Sequence, residues 1–284
     1  MADDFAQTNF TVFGSRGFIG RQLVAYLAER GVSVYAPDRA QIASGEVEAR
    51  DLGHVIYAIG LTADFRTRLQ ETVEAHVSLL NRLINGTRWS SWLFLSSTRL
   101  YGGTEGRDPS REDDSISVIP DLDRVYDLSK LLGEAICLSR PEETCRVARL
   151  SNVFGRGMPG ANFIASVAEQ ASKGLPVTFR EDRRSAKDYI PLDDVVRLLY
   201  RISLEGKQRS YNVASGSSID HGRIAELVSA TFGVEVGFAE DGALRRFPAI
   251  DTSRIQDEFA WKSDHVENAL NQFLSTMSHP KDNP

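Results

Sequence analysis

Apolar residues in this chain gather into short runs that alternate with stretches of helical periodicity. "NFTVFG" is a β-rich run ending in glycine, and "FIGRQLVAYLAERG" carries apolar residues at Ile19, Leu23, Ala25, Tyr26 and Leu27 before Gly31. This reads as strand, turn, helix and C-terminal stop. "VSVYAP" predicts a second strand, and "HVIYAIG" and "SWLFLSS" are later apolar runs of strand length, with the helix candidate "RTRLQETVEAHVSLLNRLI" between them. Unbroken apolar runs suit strands buried on both faces. Strands alternating with helices predict βαβ units, and so an α/β fold with a Rossmann-type, doubly wound parallel sheet.

The texture changes after "RVARLSNVFG". Elements become shorter, Gly and Pro more frequent ("GRGMPGANF", "KGLPVTF"), and the charged stretch "REDRRSAKD" precedes "YIPLDDVVRLLYRI". A boundary near Phe154 is expected, with residues 1–153 forming the sheet domain and 185–216 returning to it. Residues 154–184 and 217–284 would then make a smaller C-terminal lobe. The tail "SHPKDNP" is expected to fray.

Composition narrows the classes. The 284 residues are 42% hydrophobic and 25% charged, ordinary for a globular protein. A net charge of −6 and scattered arginines give no footprint for nucleic acid. No apolar stretch approaches the roughly 20 residues that span a bilayer, and "MADDFAQTNF" is acidic where a signal peptide would be basic then apolar, so a cytoplasmic protein is expected. Cys137 and Cys145 form no CxxC pair, and His54, His76, His221, His265 and His279 show no ligand spacing; no metal is expected.

Candidate chemistry begins at "GSRGFIG", a GxxGxxG run directly after a strand and directly opening a helix. Gly14 would permit the tight turn, Gly17 would let the backbone approach a pyrophosphate, and Gly20 would let helix and strand pack closely. Asp38, at the end of the second strand, suits the hydroxyls of an adenosine ribose and favours NAD. Arg16 and Arg39 stand where a 2′-phosphate would lie, so NADP stays possible.

"RVYDLSK" puts Tyr126 and Lys130 four residues apart, on one face of a helix. A free phenol is a poor base at neutral pH; a nearby ammonium and a cationic ring both favour the phenolate. A YxxxK spacing is common by chance, so it needs a partner. "LFLSSTRLYGG" offers one: Ser96, Ser97 and Thr98 end a strand in the crevice where open α/β sheets bind ligands.

Together these segments resemble the extended short-chain dehydrogenase/reductase family, the sugar-nucleotide epimerases, dehydratases and reductases. "TVFGSRGFIG", "HVIYAIG", "FLSSTRLYGG", "YDLSKLLGE", "RLSNVFGRG", "KDYIPLDDVV", "YNVASG" and "DTSRIQDEFAW" occur in the family's order over most of the chain. The resemblance implies that Tyr126 moves a proton to or from a sugar hydroxyl, Ser97 orients the oxygen, and Lys130 holds the nicotinamide ribose and lowers the phenol pKa. It adds Phe18 and Ile19 of the turn, and Ala58, Ile59 and Gly60 of a strand end, to the cofactor contacts. On the substrate side it implies Asn152, Asn162, Phe163, Lys187 and Arg246, with polar residues of the lobe interface as the alternative reading of each. The implied substrate is a nucleotide-linked sugar and the implied state a homodimer.

Three departures shape the expectation. The family's 4,6-dehydratases carry Asp-Glu directly after the catalytic hydroxyl, where this chain has Thr98 and Arg99, so a dehydratase is not expected. The short stretch between Asp38 and Asp51 leaves little room for the usual third strand and its helix. His76 replaces an asparagine common in the family, and reads first as a core residue. A 4-epimerase is the leading expectation, a 4-keto-sugar reductase the alternative, and a non-catalytic NAD(P)-binding regulator or scaffold the alternative of another class.

Overall fold

The computed structural model describes residues 8–61, 64–103, 109–263 and 265–278. The N-terminal segment read against a signal peptide falls largely outside these residues, as do His279 and nearly all of the tail expected to fray. Among the described residues, no helix is long and apolar enough to cross a membrane.

The chain runs β1 (Asn9–Phe13), α1 (Phe18–Glu29), β2 (Ser33–Tyr35), α2 (Arg39–Ala43), β3 (His54–Tyr57), α3 (Leu69–Val73), α4 (Leu79–Gly86), β4 (Ser91–Ser97), α5 (Val125–Leu138) and β5 (Cys145–Leu150). It continues with β6 (Asn152–Phe154), α6 (Phe163–Ser172), β7 (Val177–Glu181), β8 (Ala186–Pro191), α7 (Leu192–Glu205) and β9 (Ser210–Val213). It ends with β10 (Ser218–Asp220), α8 (His221–Phe232), β11 (Val236–Ala243), α9 (Ser253–Phe259) and α10 (Val266–Ser278).

Six parallel strands form one sheet in the order β2-β1-β3-β4-β5-β9. This is the doubly wound Rossmann-type sheet that the alternating runs predict. β4 and β5 are buried along nearly their whole length, because helices cover both faces. On one face Leu23 and Leu27 of α1, Val195 and Ile202 of α7, and Ile255 and Phe259 of α9 pack on Phe10, Val12, Ile56 and Leu93. On the other, Leu80 and Leu83 of α4 and Cys137 of α5 pack on Phe13, Tyr57, Trp92 and Phe94. The segment 217–284, assigned from sequence to the smaller lobe, thus sends α9 back to the large sheet.

β2 lies at the sheet edge. Between it and β3 the chain forms only α2 and a 3-10 turn over Glu46–Ala49, which is what the short stretch after Asp38 allows.

β5 ends at Leu150 and β6 starts at Asn152, so the chain leaves the large sheet at Ser151. β6 pairs with β8, and β8 with β10, in a three-stranded sheet, while β7 and β11 pair separately. These strands and α6, α8 and α10 bury a second core around Phe154, Phe179, Tyr189, Val228 and Leu274.

The helix predicted across "RTRLQETVEAHVSLLNRLI" is interrupted. A π-helical turn over Glu74–Ser78 separates α3 from α4 and carries His76 into the interior. One extra residue per turn rotates the side chains that follow, and such turns recur at functional sites.

Candidate functional site

The turn between β1 and α1 is built for close approach. Gly14 has φ +83°, and a Cβ there would lie 2.8 Å from the Ala58 carbonyl carbon. A Cβ on Gly20 would lie 2.1 Å from Gly14 O, so the helix can begin against the turn only without one. α1 starts with no side-chain cap, leaving its first N–H groups directed outward.

Those N–H groups face a cavity of about 580 Å3 lined by Gly17, Phe18, Ile19, Gly20, Ala58, Ile59, Gly60, Ser97, Tyr126 and Lys130. Asn152, Asn162, Phe163 and Lys187 close its other side. A neighbouring cavity of about 550 Å3 shares Ser97, Asn152 and Lys187, and adds Arg246. The residues singled out for cofactor, catalysis and substrate therefore meet around Ser97. Gly14, Arg16, Asp38 and Arg39 do not line either cavity. Asp38 instead caps α2, accepting from Ala40 N and Gln41 N, while its own backbone N–H donates to Gln41 Oε1. Its second oxygen lies 3.8 Å from Arg16 Nη2. The spacing of Asp38 and Gln41 is a capping-box pattern that was legible in the sequence.

α5 turns Tyr126, Ser129, Lys130, Gly133 and Cys137 inward, one helical face, which brings the phenol and the ammonium to the cavity floor. Burial pushes the Tyr126 phenol up to about 12, with a hydrogen bond to Ser97 and the charge of Arg99 pulling it down and Asp127 pushing it up. Burial pulls the Lys130 ammonium down to about 7, with Glu134 and Cys137 acting the other way. Lys130 Nζ donates to the Leu95 carbonyl at 2.7 Å and lies 6.0 Å from the Tyr126 ring centre.

The three hydroxyls at the end of β4 are differently engaged. Ser96 Oγ donates to Glu134 at 2.5 Å, beneath the site, where Glu134 also pairs with Arg149 at 2.7 Å. Thr98 Oγ1 donates to Leu150 O at 3.4 Å. Ser97 Oγ accepts from Arg99 N at 3.1 Å and remains beside Tyr126.

The substrate-side residues divide. Asn152 donates to Asp188 O at 2.8 Å. Asn162 caps α6 by accepting from Ile164 N. The Phe163 ring stacks on His221 at 4.7 Å. Lys187 lies 3.4 Å from Glu181 and over the rings of Phe163 and Phe247.

Arg99 is a site residue that the sequence marked only as a departure. Its Cζ lies 5.4 Å from the Tyr126 ring centre and 5.2 Å from that of Phe65. Its place after the Ser/Thr cluster was visible; its pairing with Asp127, across the fold, was not.

Residues 10–214 match the NAD dependent epimerase/dehydratase family. No curated protein matches the chain by sequence. Among solved structures, RMD from Pseudomonas aeruginosa, complexed with NADPH, is 23% identical, with 96% of this chain and 98% of that one covered at TM-score 0.79. The UDP-glucose 4-epimerase of Thermus thermophilus, complexed with NAD, is 19% identical, with 95% and 99% covered at TM-score 0.78. The dTDP-glucose 4,6-dehydratase of Bacillus anthracis, also with NAD, is 17% identical, with 97% of each chain covered at TM-score 0.76. At these identities the likeness is one of fold.

Proposed function

Because the chain belongs to the NAD dependent epimerase/dehydratase family, we propose that it transfers hydride between a nicotinamide and a carbon of a nucleotide-linked sugar, as a 4-epimerase. The observation that carries this reading is the convergence of Ser97, Tyr126 and Lys130 on one cavity floor, opposite the uncapped start of α1.

A bound nicotinamide supplies the hydride acceptor and donor. The protein's own part is to position and to move a proton. The first N–H groups of α1 suit a pyrophosphate, since they are unsatisfied and carry the positive end of the helix dipole. Ser97 holds the sugar oxygen, and Tyr126 takes its proton as the carbon is oxidised, then returns it on reduction. Lys130 holds the nicotinamide ribose, while the hydrogen bond to Ser97 and the charge of Arg99 offset the cost that burial imposes on the phenolate. Asn152, Asn162, Phe163, Lys187 and Arg246 would hold the nucleotide part.

A second reading, a 4-keto-sugar reductase that exchanges NADPH, is favoured by the engagement of Asp38 as a helix cap beside an exposed Arg16. The nucleotide released on denaturing freshly purified protein separates the two. Retained NAD supports the epimerase; empty protein that prefers NADPH supports the reductase. Saturable cofactor binding without turnover of any nucleotide sugar would overturn both and leave a non-catalytic binder.

The same reading takes the protein as a homodimer through α3, α4 and α5, where Leu69, Val73, Leu132 and Leu138 are exposed. Light scattering at micromolar concentration tests it, and a monomer would reject it.

A further inference from the structure

His76 is fully buried, and its two ring nitrogens are in different situations. Nδ1 lies 2.8 Å from Ser129 Oγ. Ser129 Oγ donates its one proton to the Tyr126 carbonyl at 2.9 Å. The Ser129 oxygen is therefore the acceptor toward His76, and Nδ1 carries the ring proton. That leaves Nε2 a bare lone pair, and among the described residues it has no hydrogen-bond partner. A buried acceptor without a partner is costly and marks a place where a donor belongs.

Where Nε2 points is given by Gly60. A Cβ at that position would lie 2.8 Å from His76 Nε2 and 3.4 Å from Lys130 Nζ. The lone pair and the ammonium thus flank one gap, kept open because residue 60 has no side chain, on the wall of the cofactor cavity. Lys130 has three N–H donors, and one is given to Leu95 O. The His76 ring also stands edge to face with Tyr126, 5.5 Å between centres.

We propose that His76 is a positioning residue whose Nε2 accepts a hydrogen bond from a water beside Gly60 that in turn accepts from the Lys130 ammonium. It rests on the reading of Tyr126 and Lys130 as the acid/base pair. The π turn is the device that makes this possible, since it swings His76 out of the helical register of α3 and α4 toward α5. A neutral acceptor at this place stabilises the charged form of the lysine without competing for its charge, which a carboxylate would do.

The other groups around the pair leave this role open. Facing Lys130 are Glu134, Cys137 and Tyr126 on α5, and the Phe94 ring and Leu95 carbonyl on β4. Glu134 is already held by Arg149 of β5 and Ser96 of β4. Facing His76 are Lys130, Tyr126 and Ser129, all on α5.

The test needs no substrate, so its failure is distinct from a failure of the proposed reaction. The Lys130 Nζ titration is followed by NMR in protein carrying 13Cε-labelled lysine, with the resonance assigned through Lys130→Arg. His76→Phe should lower the Lys130 pKa by about one to two units, the scale of one lost hydrogen bond to a buried charge. His76→Gln, which keeps an acceptor, should restore most of that shift. In unaltered protein with 15N-labelled histidine, Nδ1 should be protonated and Nε2 not. Should His76→Phe fail to fold, that last measurement decides alone. An unchanged Lys130 titration in His76→Phe, equal shifts in both variants, or a proton on Nε2 would overturn the proposal.

Discussion

Arg99 Nε lies 2.9 Å from Asp127 Oδ1, and Asp127 is buried at the residue directly after Tyr126. Arg124 holds the other carboxylate oxygen at 3.1 Å. One buried aspartate therefore fixes a guanidinium against the phenol that the proposed chemistry ionises. Arg99→Met should raise the Tyr126 pKa and move the rising limb of the pH–rate profile for sugar oxidation about half a unit to one unit alkaline. Arg99→Lys should move it less. A profile identical to that of the unaltered enzyme would remove Arg99 from the electrostatics of the site.

Tyr126→Phe should fold and bind cofactor while losing about 10²- to 10⁴-fold in turnover, the usual range for a removed general acid/base. Steady-state rates, together with cofactor affinity by fluorescence, check both halves. Turnover within a few-fold of the unaltered enzyme would exclude Tyr126 as the proton carrier.

Asp38 caps α2 and is proposed to hold an adenosine ribose as well, and a pair of substitutions separates the two. Asp38→Ala removes the cap of α2 and should cost about 1 kcal/mol in denaturant unfolding. Asp38→Ser keeps a capping oxygen and should be nearly as stable as the unaltered protein. Both should weaken NAD more than NADP, and isothermal titration with the two cofactors measures it. Equal weakening would contradict the ribose contact.

The Glu134–Arg149 pair lies in the interior beneath Ser96, with Tyr101 and the Glu112 carbonyl completing the Arg149 shell. Glu134→Gln leaves a buried guanidinium with no charge partner and should destabilise the protein by about 3 to 5 kcal/mol. The double variant Glu134→Leu with Arg149→Met should recover much of that. Urea unfolding followed by circular dichroism distinguishes the two outcomes.

Burial holds His76 neutral in the folded protein, its pKa lowered from 6.5 to about 2. The unfolded chain takes up a proton there below pH 6.5 and the folded one does not, so this term favours unfolding as pH falls from 6.5 toward 2 and is absent above it. The expected slope is about 1.4 kcal/mol per pH unit for one such site. His76→Gln should flatten the acid side of the stability curve by that amount between pH 6 and 4. A parallel pair of curves would show that His76 is not buried neutral.

The sheet was readable because several of its strands carry short apolar runs between helical stretches: "SWLFLSS" is β4, residue for residue. The glycine turn was readable because a strand precedes it and a helix follows. The spacing of Tyr126 and Lys130 was visible, Ser97 was chosen among Ser96, Ser97 and Thr98 only through the family resemblance, and the fold brings all three named residues to one cavity. Long-range pairings could not be read this way. Nothing near Arg99 in the chain announces Asp127, and nothing near Glu134 announces Arg149. The π turn was likewise hidden, since the apolar pattern around His76 suits an uninterrupted helix. The return of α9 to the large sheet depends on Ile255 and Phe259 finding α7 and β9, a choice between two cores that both accept apolar residues.

The single residue Ser151, between β5 and β6, has a geometric consequence. Leu150 is paired in register with Ser97, and Asn152 with Tyr189, so consecutive residues on either side of Ser151 belong to different sheets. The distance from Ser97 to Asn152 is then set by strand pairing and backbone, with no loop between the two sheets to adjust it. For the substrate proposed above, the junction would act as a ruler between the sugar end at Ser97 and the nucleotide end at Asn152.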